Sequence, residues 1–245
     1  MFKRLLFVCC LGLSFGLSAQ DISSNMIFHS SYDDDTLPTH SFGTFNDVWG
    51  YAANGREYAF MGSAAYIHVF DVTDPKNLQQ LAQIPGGETT VWRDFKTYKD
   101  HLYAVSDGTT EGLIVFDLAH LPDSMPITYQ NTEFFNNTHN IFIDQTHGRL
   151  YNTNSPVQVL DVDTDPAQPT LLKNLILPVG DGIHDLFVID HMAYLSSGFD
   201  GMFIYDLTDL DNPVLKARLE TNGYNHSGWL TEDGQTMIVA EEITT

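Results

Sequence analysis

Residues 66–75 read YIHVFDVTDP, a short β-rich run that ends in an aspartate and a turn, and the same phrase recurs three more times. The other copies are GLIVFDLAHLP (112–122), VQVLDVDTDP (157–166) and MFIYDLTDLDNP (202–213). The shared aspartates, Asp71, Asp117, Asp161 and Asp206, are separated by 46, 44 and 45 residues. A nearly constant period of this length indicates an array of one repeated supersecondary unit.

Each repeat is predicted to contain four strands. A run with a tyrosine precedes the aspartate phrase, an earlier alternating run precedes the tyrosine, and a further β-rich run follows the phrase. The tyrosines are Tyr58, Tyr103, Tyr151 and Tyr194. No segment shows a convincing helical period. Four antiparallel strands repeated radially are typical of a β-propeller, whose innermost strands line a central channel. The sequence therefore predicts an all-β propeller of four-stranded blades and disfavours a sandwich.

The repeats also predict the domain boundaries. The expected divisions are a signal peptide (1–20), an N-terminal segment (21–46) with a closing outer strand at residues 25–32, four units (47–89, 90–136, 137–181 and 182–224) and a partial fifth unit (225–245). An N-terminal outer strand needs a partner blade, and the fifth unit stops before its aspartate phrase. We therefore expect the sequence to be truncated within the propeller.

The N-terminus has the pattern of an export signal. Lys3 and Arg4 precede an apolar run, and small residues follow at Ser18 and Ala19. No later segment has the roughly eighteen apolar residues of a membrane span. Both cysteines, Cys9 and Cys10, lie inside the signal. We expect an extracellular or cell-surface protein whose mature chain has no disulfide and no transmembrane span.

The chain is strongly acidic, with 32 acidic residues, 11 basic residues and a formal net charge of −21. Such a surface repels nucleic acid and anionic membranes and attracts cations. Acidity is also an ordinary means of extracellular solubility. It therefore excludes nucleic acid as a predicted partner without identifying a ligand.

Four stretches resemble a known family. They are NDVWGYAANGREYAFMG (46–62), WRDFKTYKDHLYAVSD (92–107), THNIFIDQTHGRLY (138–151) and HSGWLTEDGQTMIVAEE (226–242). Together with the repeated aspartate phrase they are similar to the choice-of-anchor B family of LVIVD-repeat proteins. The resemblance covers the chain from about residue 25 onward. It implies an exported bacterial propeller at the cell surface, with anchoring signals that differ among members, and it implies no general enzymatic activity.

Candidate chemistry lies at the start of each innermost strand. Alignment of the units places Asp47, Arg93, His139, His184 and His226 at one equivalent position, with Asp94 and Asp185 directly after two of them. We expect channel-mouth binding by Asp47, Arg93, Asp94 and Asp185, and metal binding by His139, His184 and His226. Imidazole and carboxylate suit zinc or another divalent transition ion. Arg93 would repel a cation unless Asp94 or Asp185 neutralised it, and all these groups could instead satisfy backbone hydrogen bonds.

Three function classes stay open at this stage. The favoured class is a binding or display propeller whose partner is an extracellular protein, a carbohydrate or a small ligand. The alternatives are a metal-dependent hydrolase with the histidine cluster and a structural surface component. No GxSxG elbow or glycine-rich phosphate loop is present. The repeated aspartates are interpreted as turn residues rather than calcium ligands, and the tryptophans as packing residues with some capacity to stack on a sugar.

Overall fold

The computed structural model describes residues 26–41 and 43–244, and within them the chain forms eighteen β-strands. The predicted signal peptide lies outside the described residues. In the part of the chain that the structure describes, no helix long and apolar enough to cross a bilayer is present. The predicted all-β class is confirmed.

The strands form successive antiparallel sheets in which strand order follows chain order. The first sheet contains β1 (Phe45–Ala53), β2 (Arg56–Ser63), β3 (Tyr66–Asp71) and β4 (Gln79–Pro85). The second contains β5 (Arg93–Tyr98), β6 (His101–Ser106), β7 (Leu113–Asp117) and β8 (Ile127–Asn131). The third contains β9 (Ile141–Asp144), β10 (Arg149–Asn152), β11 (Val157–Asp161) and β12 (Thr170–Leu175). The fourth contains β13 (Asp185–Ile189), β14 (Met192–Ser196), β15 (Met202–Asp206) and β16 (Val214–Leu219). A two-stranded sheet follows, with β17 (Gly223–Leu230) and β18 (Met237–Thr244).

The first strands of neighbouring sheets are in contact, from β1 through β5, β9 and β13 to β17. Each sheet therefore extends outward from a central channel as one blade. Four consecutive strands per blade, joined by hairpins and arranged about a channel, constitute the predicted β-propeller.

The hydrophobic core lies between the blades. Because side chains on a strand alternate between faces, each blade contributes one row of apolar side chains to each neighbour. Phe60 packs with Phe95 and Phe116 between the first two blades, and Val159 packs with Leu195 between the third and fourth. All five are less than 2% exposed. Full burial of a side chain of this size contributes about 1.5–3 kcal/mol, so packing between blades holds the array together.

The repeated aspartates close the third strands. The carboxylates of Asp71, Asp117, Asp161 and Asp206 each accept a hydrogen bond from the backbone N–H two residues later, at 2.8–3.0 Å. This geometry is the local turn that Asp side chains support. The interpretation of these aspartates as turn residues is confirmed.

The N-terminal segment differs from the expectation of an outer strand at residues 25–32. Residues 26–34 belong to no strand. A strand requires a neighbouring backbone with which to pair, whereas this segment is held by side-chain contacts on a face of the first blade. The ring of Tyr32 lies 6.0 Å from that of Phe45 and 4.9 Å from that of Phe70, measured between centroids.

Candidate metal and ligand site at the channel mouth

The first strands of all five sheets enclose a cavity of about 440 Å³. Every candidate that the sequence placed at the channel lines this cavity: Asp47, Arg93, Asp94, His139, His184, Asp185 and His226. The reason is topological. Each residue lies just before or within the first few residues of an innermost strand, and these strand ends meet at one end of the channel. The structure therefore brings together side chains that are about 45 residues apart in the chain.

Three side-chain hydrogen bonds link neighbouring blades around this cavity. The carboxylate of Asp47 accepts a hydrogen bond from the N–H of Phe95 at 3.0 Å, and that of Asp94 accepts one from the N–H of Ile141 at 2.7 Å. At the next junction, the amide of Asn140 donates to the carbonyl of His184 at 3.1 Å.

The repeated contact corrects the alignment of Asp47. A β-bulge between Asn46 and Val48, with Asp47 at a φ of 38°, shifts the register of β1 by one residue. Asp47 is therefore structurally equivalent to Asp94, the residue that follows Arg93. It is not equivalent to Arg93 itself. A bulge inserts an unpaired residue and re-aims its side chain, and the alternation in the sequence did not reveal it.

Arg93 holds the first blade to the second. Its guanidinium donates to the carbonyl oxygens of Ser63 (2.8 Å), Ala64 (3.2 Å), Gly86 (2.6 Å) and Glu88 (3.1 Å). The residue is only 3% exposed, and burial lowers the pKa of the guanidinium to about 10. The guanidinium is therefore committed to backbone carbonyls of the first blade and of the segment that follows it.

Buried carboxylates give the channel its electrostatic character. Burial, followed by repulsion from Asp94, raises the pKa of Asp47 well above its usual range. The same two causes raise the pKa of Asp185 to about 6. Lys96 supplies a compensating cation, with its Nζ 2.5 Å from the Asp94 carboxylate and 4.6 Å from the centroid of the Trp49 ring. Perturbed carboxyl groups in a cleft are a common mark of functional sites.

The three predicted histidines lie side by side. The ring centroids of His139 and His184 are 4.6 Å apart, and those of His184 and His226 are 4.5 Å apart. His139 Nδ1 lies 3.1 Å from the Asp107 carboxylate, and His184 Nδ1 lies 3.1 Å from the carbonyl oxygen of His226. Because a carbonyl can only accept, His184 Nδ1 must carry the proton.

These bonds favour the tautomer of each imidazole that carries its proton on Nδ1. When Nδ1 is the donor, a neutral imidazole presents a lone pair on Nε2, and Nε2 of His139 and of His184 has no hydrogen-bond partner among the described residues. Burial, and then repulsion from His139, lowers the pKa of His184 and favours this neutral form. An imidazole whose second nitrogen donates to a carboxylate or carbonyl is the usual form of a metal ligand.

The side chains at the mouth that come nearest to a metal-binding geometry include a residue that the sequence analysis did not single out. Ligand atoms of His184, His226 and Glu242 all lie within 4.8 Å of one another. Glu242 is on β18, which folds back along β17 through a register with two irregularities. The pair Glu241-Glu242 was visible in the sequence, but only that register decides which carboxylate reaches the histidines. His139 lies beside this group, where Asp107 holds it.

A second cavity of about 380 Å³ adjoins the imidazoles at the mouth. It is lined by His139 and His184, with Trp92 and Tyr224 among its other walls. The Tyr224 ring stands perpendicular to that of His184 at 5.4 Å. Aromatic faces beside convergent polar groups are usual in small-molecule sites, whose volumes run from about 300 to 1,000 Å³. Of the three tryptophans, Trp92 lies at this mouth. Trp49 and Trp229 lie in the inner channel, with their ring centroids 6.4 Å apart.

Comparison with known proteins identifies the fold alone. No protein-family model matches the chain, and no curated protein matches it. Among solved structures it is similar to a protein of unknown function from Desulfotomaculum acetoxidans (12% identity, TM-score 0.63, covering 81% of this chain and 63% of that one). It is also similar to the periplasmic gluconolactonase of Pseudomonas aeruginosa (15%, 0.59, 77% and 63%) and to the WD40 repeats of RRP9 (12%, 0.59, 83% and 58%). This chain spans about three fifths of the length of these structures, and it has their β-propeller fold.

Proposed function

We propose that this protein is an exported β-propeller that binds a small polar ligand at the mouth of its channel, with a divalent transition ion as part of the site. One observation carries the proposal. Nδ1 of His139 and of His184 each face an acceptor, while their Nε2 atoms have no hydrogen-bond partner among the described residues, and both residues line the cavity. Histidines that served only to satisfy the backbone would not need two such unpartnered nitrogens beside a cavity.

The metal would be held by His184, His226 and Glu242. Two imidazoles and one carboxylate with an open position suit Zn²⁺, and related ions follow the same ligand preference. Asp47, Asp94 and Asp185 line the same cavity and favour a cation there, while the guanidinium of Arg93 is committed to four carbonyls.

The ligand is expected to be of about the size of a sugar. The cavity at the mouth combines the aromatic walls of Trp92 and Tyr224 with the imidazoles and with the carboxylates of Asp107 and Asp181. Aromatic rings offer a face for the apolar side of a sugar ring, and carboxylates accept hydrogen bonds from hydroxyl groups. A carbohydrate or another polyhydroxylated molecule fits this chemistry better than an apolar one.

Export and surface location belong to the same proposal. Their support is the basic, apolar and small-residue order of residues 1–20 and the resemblance to the choice-of-anchor B family. In that setting the partner would be an extracellular protein, a carbohydrate or a small ligand. The net charge of −21 argues against nucleic acid.

A metal-dependent hydrolase is the second candidate, and a specific observation favours it. Asp185, with a pKa raised to about 6, lines the same cavity as His184, His226 and Glu242. A carboxyl group that titrates near neutrality is suited to proton transfer, and a divalent ion would supply Lewis-acid chemistry toward a carbonyl. Hydrolysis of glucono-δ-lactone, a substrate of the kind named for the Pseudomonas aeruginosa neighbour, is the first activity to assay.

The test is Zn²⁺ titration by calorimetry of the parent protein and of a Glu242→Gln variant, with Glu241→Gln as the matched control. Glu242 is exposed, so its replacement should not disturb folding. Loss of one of the three ligands should lower the affinity of the channel-mouth site for Zn²⁺ at least tenfold. Glu241→Gln makes the same change in charge one residue away and should stay within twofold of the parent. Equal affinity in all three proteins would refute the metal site and favour a structural surface component.

A further inference from the structure

A second group of metal-ligating side chains lies at the opposite end of the blades. Asp144 is the last residue of β9, His147 is in the loop between β9 and β10, and His191 is in the turn between β13 and β14. β9 begins beside His139, so its four residues separate this group from the channel mouth by about 13 Å. The group joins the third and fourth blades, both of which are complete four-stranded sheets.

The three side chains are already close to a metal-binding geometry. Nδ1 of His147 is 2.9 Å from Asp144 Oδ2, and Nδ1 of His191 is 3.9 Å from the same oxygen. One ligand atom from each residue lies within 4.8 Å of the other two, and the imidazole rings are stacked at 3.5 Å between centroids. Neighbouring ligands of a tetrahedral zinc ion, with bonds of about 2.0–2.1 Å, are roughly 3.3 Å apart. Only small shifts would place the three atoms around an ion.

The backbone holds these groups in place. The carboxylate of Asp144, a residue only 1% exposed, accepts hydrogen bonds from the N–H of Thr146 at 3.0 Å and of His191 at 3.3 Å. Asp190 and His191 form a two-residue turn with φ values of 48° and 68°. Asn-Gly is the usual sequence for such a turn, and a left-handed conformation is costly for a residue with a side chain. Strain of this kind often marks a functional position.

Two side chains of opposite charge, Arg149 and Asp190, lie beside the imidazoles. Nη1 of Arg149 is 3.5 Å from His191 Nδ1, and Asp190 Oδ1 is 3.9 Å from His147 Nε2. An incoming ion would displace the flexible Arg149 side chain from Nδ1 and take its place.

We propose that Asp144, His147 and His191 form a second binding site for Zn²⁺ or a chemically similar divalent ion, independent of the channel mouth. Two imidazoles and a carboxylate are a usual zinc donor set. Because Asp144 and His147 belong to the third blade and His191 to the fourth, the bound ion connects two blades. Binding to the folded protein alone stabilises it by mass action, so the ion should raise the melting temperature.

The experiment uses the full chain with Glu242→Gln, which removes a ligand from the channel mouth. After treatment with a chelator, the protein is titrated with Zn²⁺ by calorimetry and with Co²⁺ by visible absorption, which reports the coordinating atoms. The decisive additional change is His191→Gly. Glycine tolerates positive φ, so this variant should fold with an unchanged or higher melting temperature in the absence of metal. It should bind Zn²⁺ at least tenfold more weakly.

Two further variants complete the test. His120 is an exposed histidine 3.9 Å from Asp117 and contacts no second imidazole among the described residues, so His120→Ala should leave Zn²⁺ affinity within twofold. Arg149→Met should tighten binding, because it removes the competing cation. The proposal is overturned if the Glu242→Gln protein binds no Zn²⁺, if His191→Gly retains full affinity, or if His120→Ala weakens binding equally.

Discussion

Replacement of Arg93 tests how far the stability of the protein depends on one buried cation between the first two blades. The guanidinium makes four hydrogen bonds to backbone carbonyls between the first two blades and is 3% exposed. Hydrogen bonds to charged groups contribute about 1.5–3 kcal/mol each, or about 6 kcal/mol in total at the lower value. Burial of the charge costs several kcal/mol in return. We therefore expect Arg93→Met to lower the free energy of unfolding by about 3 kcal/mol.

Urea unfolding followed by tryptophan fluorescence measures this loss. With a slope of about 2–3 kcal/mol per molar urea, a loss of 3 kcal/mol moves the midpoint by roughly 1 M. Arg93→Lys is the matched control because it keeps the charge without the planar fork of donors. We expect lysine to recover less than half of the lost stability.

Two results would contradict this reasoning. A midpoint for Arg93→Met within about 0.3 M of the parent would mean that the four hydrogen bonds stabilise little beyond the cost of burial. Full recovery by lysine would mean that charge alone matters. Zn²⁺ affinity at the mouth should be unchanged or tighter in Arg93→Met. If binding is lost while stability is retained, Arg93 belongs to the ligand site, as the sequence had suggested.

Three other predictions concern pH, a turn and export. Asp185 has a folded pKa of about 6, above its unfolded value of about 3.9, so stability falls as pH rises between these values. Asp185→Asn should be about 2 kcal/mol more stable than the parent at pH 7, and the difference should vanish below pH 4 in urea titrations. Gly112→Ala should cost about 3 kcal/mol by thermal unfolding, because φ is +70° and the new Cβ would lie 2.2 Å from the Asn131 carbonyl oxygen. Gly55→Ala, with a φ of +74° and open space, should cost only about 1 kcal/mol. N-terminal sequencing of the exported protein should begin at residue 20 or 21, and an uncleaved N-terminus would refute the signal peptide.

Much of the fold could be predicted because its signals are local and repeated. The aspartate phrases predicted the ends of the third strands, and the carboxylates of Asp71 and Asp161 indeed close turns there. Alternation of apolar residues predicted the strands, since successive side chains on a strand point to opposite faces. The outer strand expected at residues 25–32 depended instead on a distant partner, and residues 26–34 form no strand.

The candidate site could be predicted only in part. The repeat placed His139, His184 and His226 at one end of the channel, and the structure brings the ring of His184 to 4.6 Å from that of His139 and 4.5 Å from that of His226. The sequence repeat could not show that a β-bulge makes Asp47 the structural equivalent of Asp94. Nor could it show that Glu242 joins His184 and His226. A shift of one residue along a strand moves a side chain to the other face, and composition does not reveal such a shift.

The repeated blade, its strands and turns, and the meeting of the innermost strands at a common channel could all be inferred from the amino-acid sequence. These features follow from the period and from local backbone preferences. Which of the polar groups remain available to a ligand depends on the three-dimensional arrangement of the blades. It committed the guanidinium of Arg93 to carbonyls, fixed the protonated nitrogen of His184, and placed His191 over His147. The physical reason is that hydrogen-bond partners and contacts across blades depend on register and side-chain direction, which are set by packing between segments far apart in the chain.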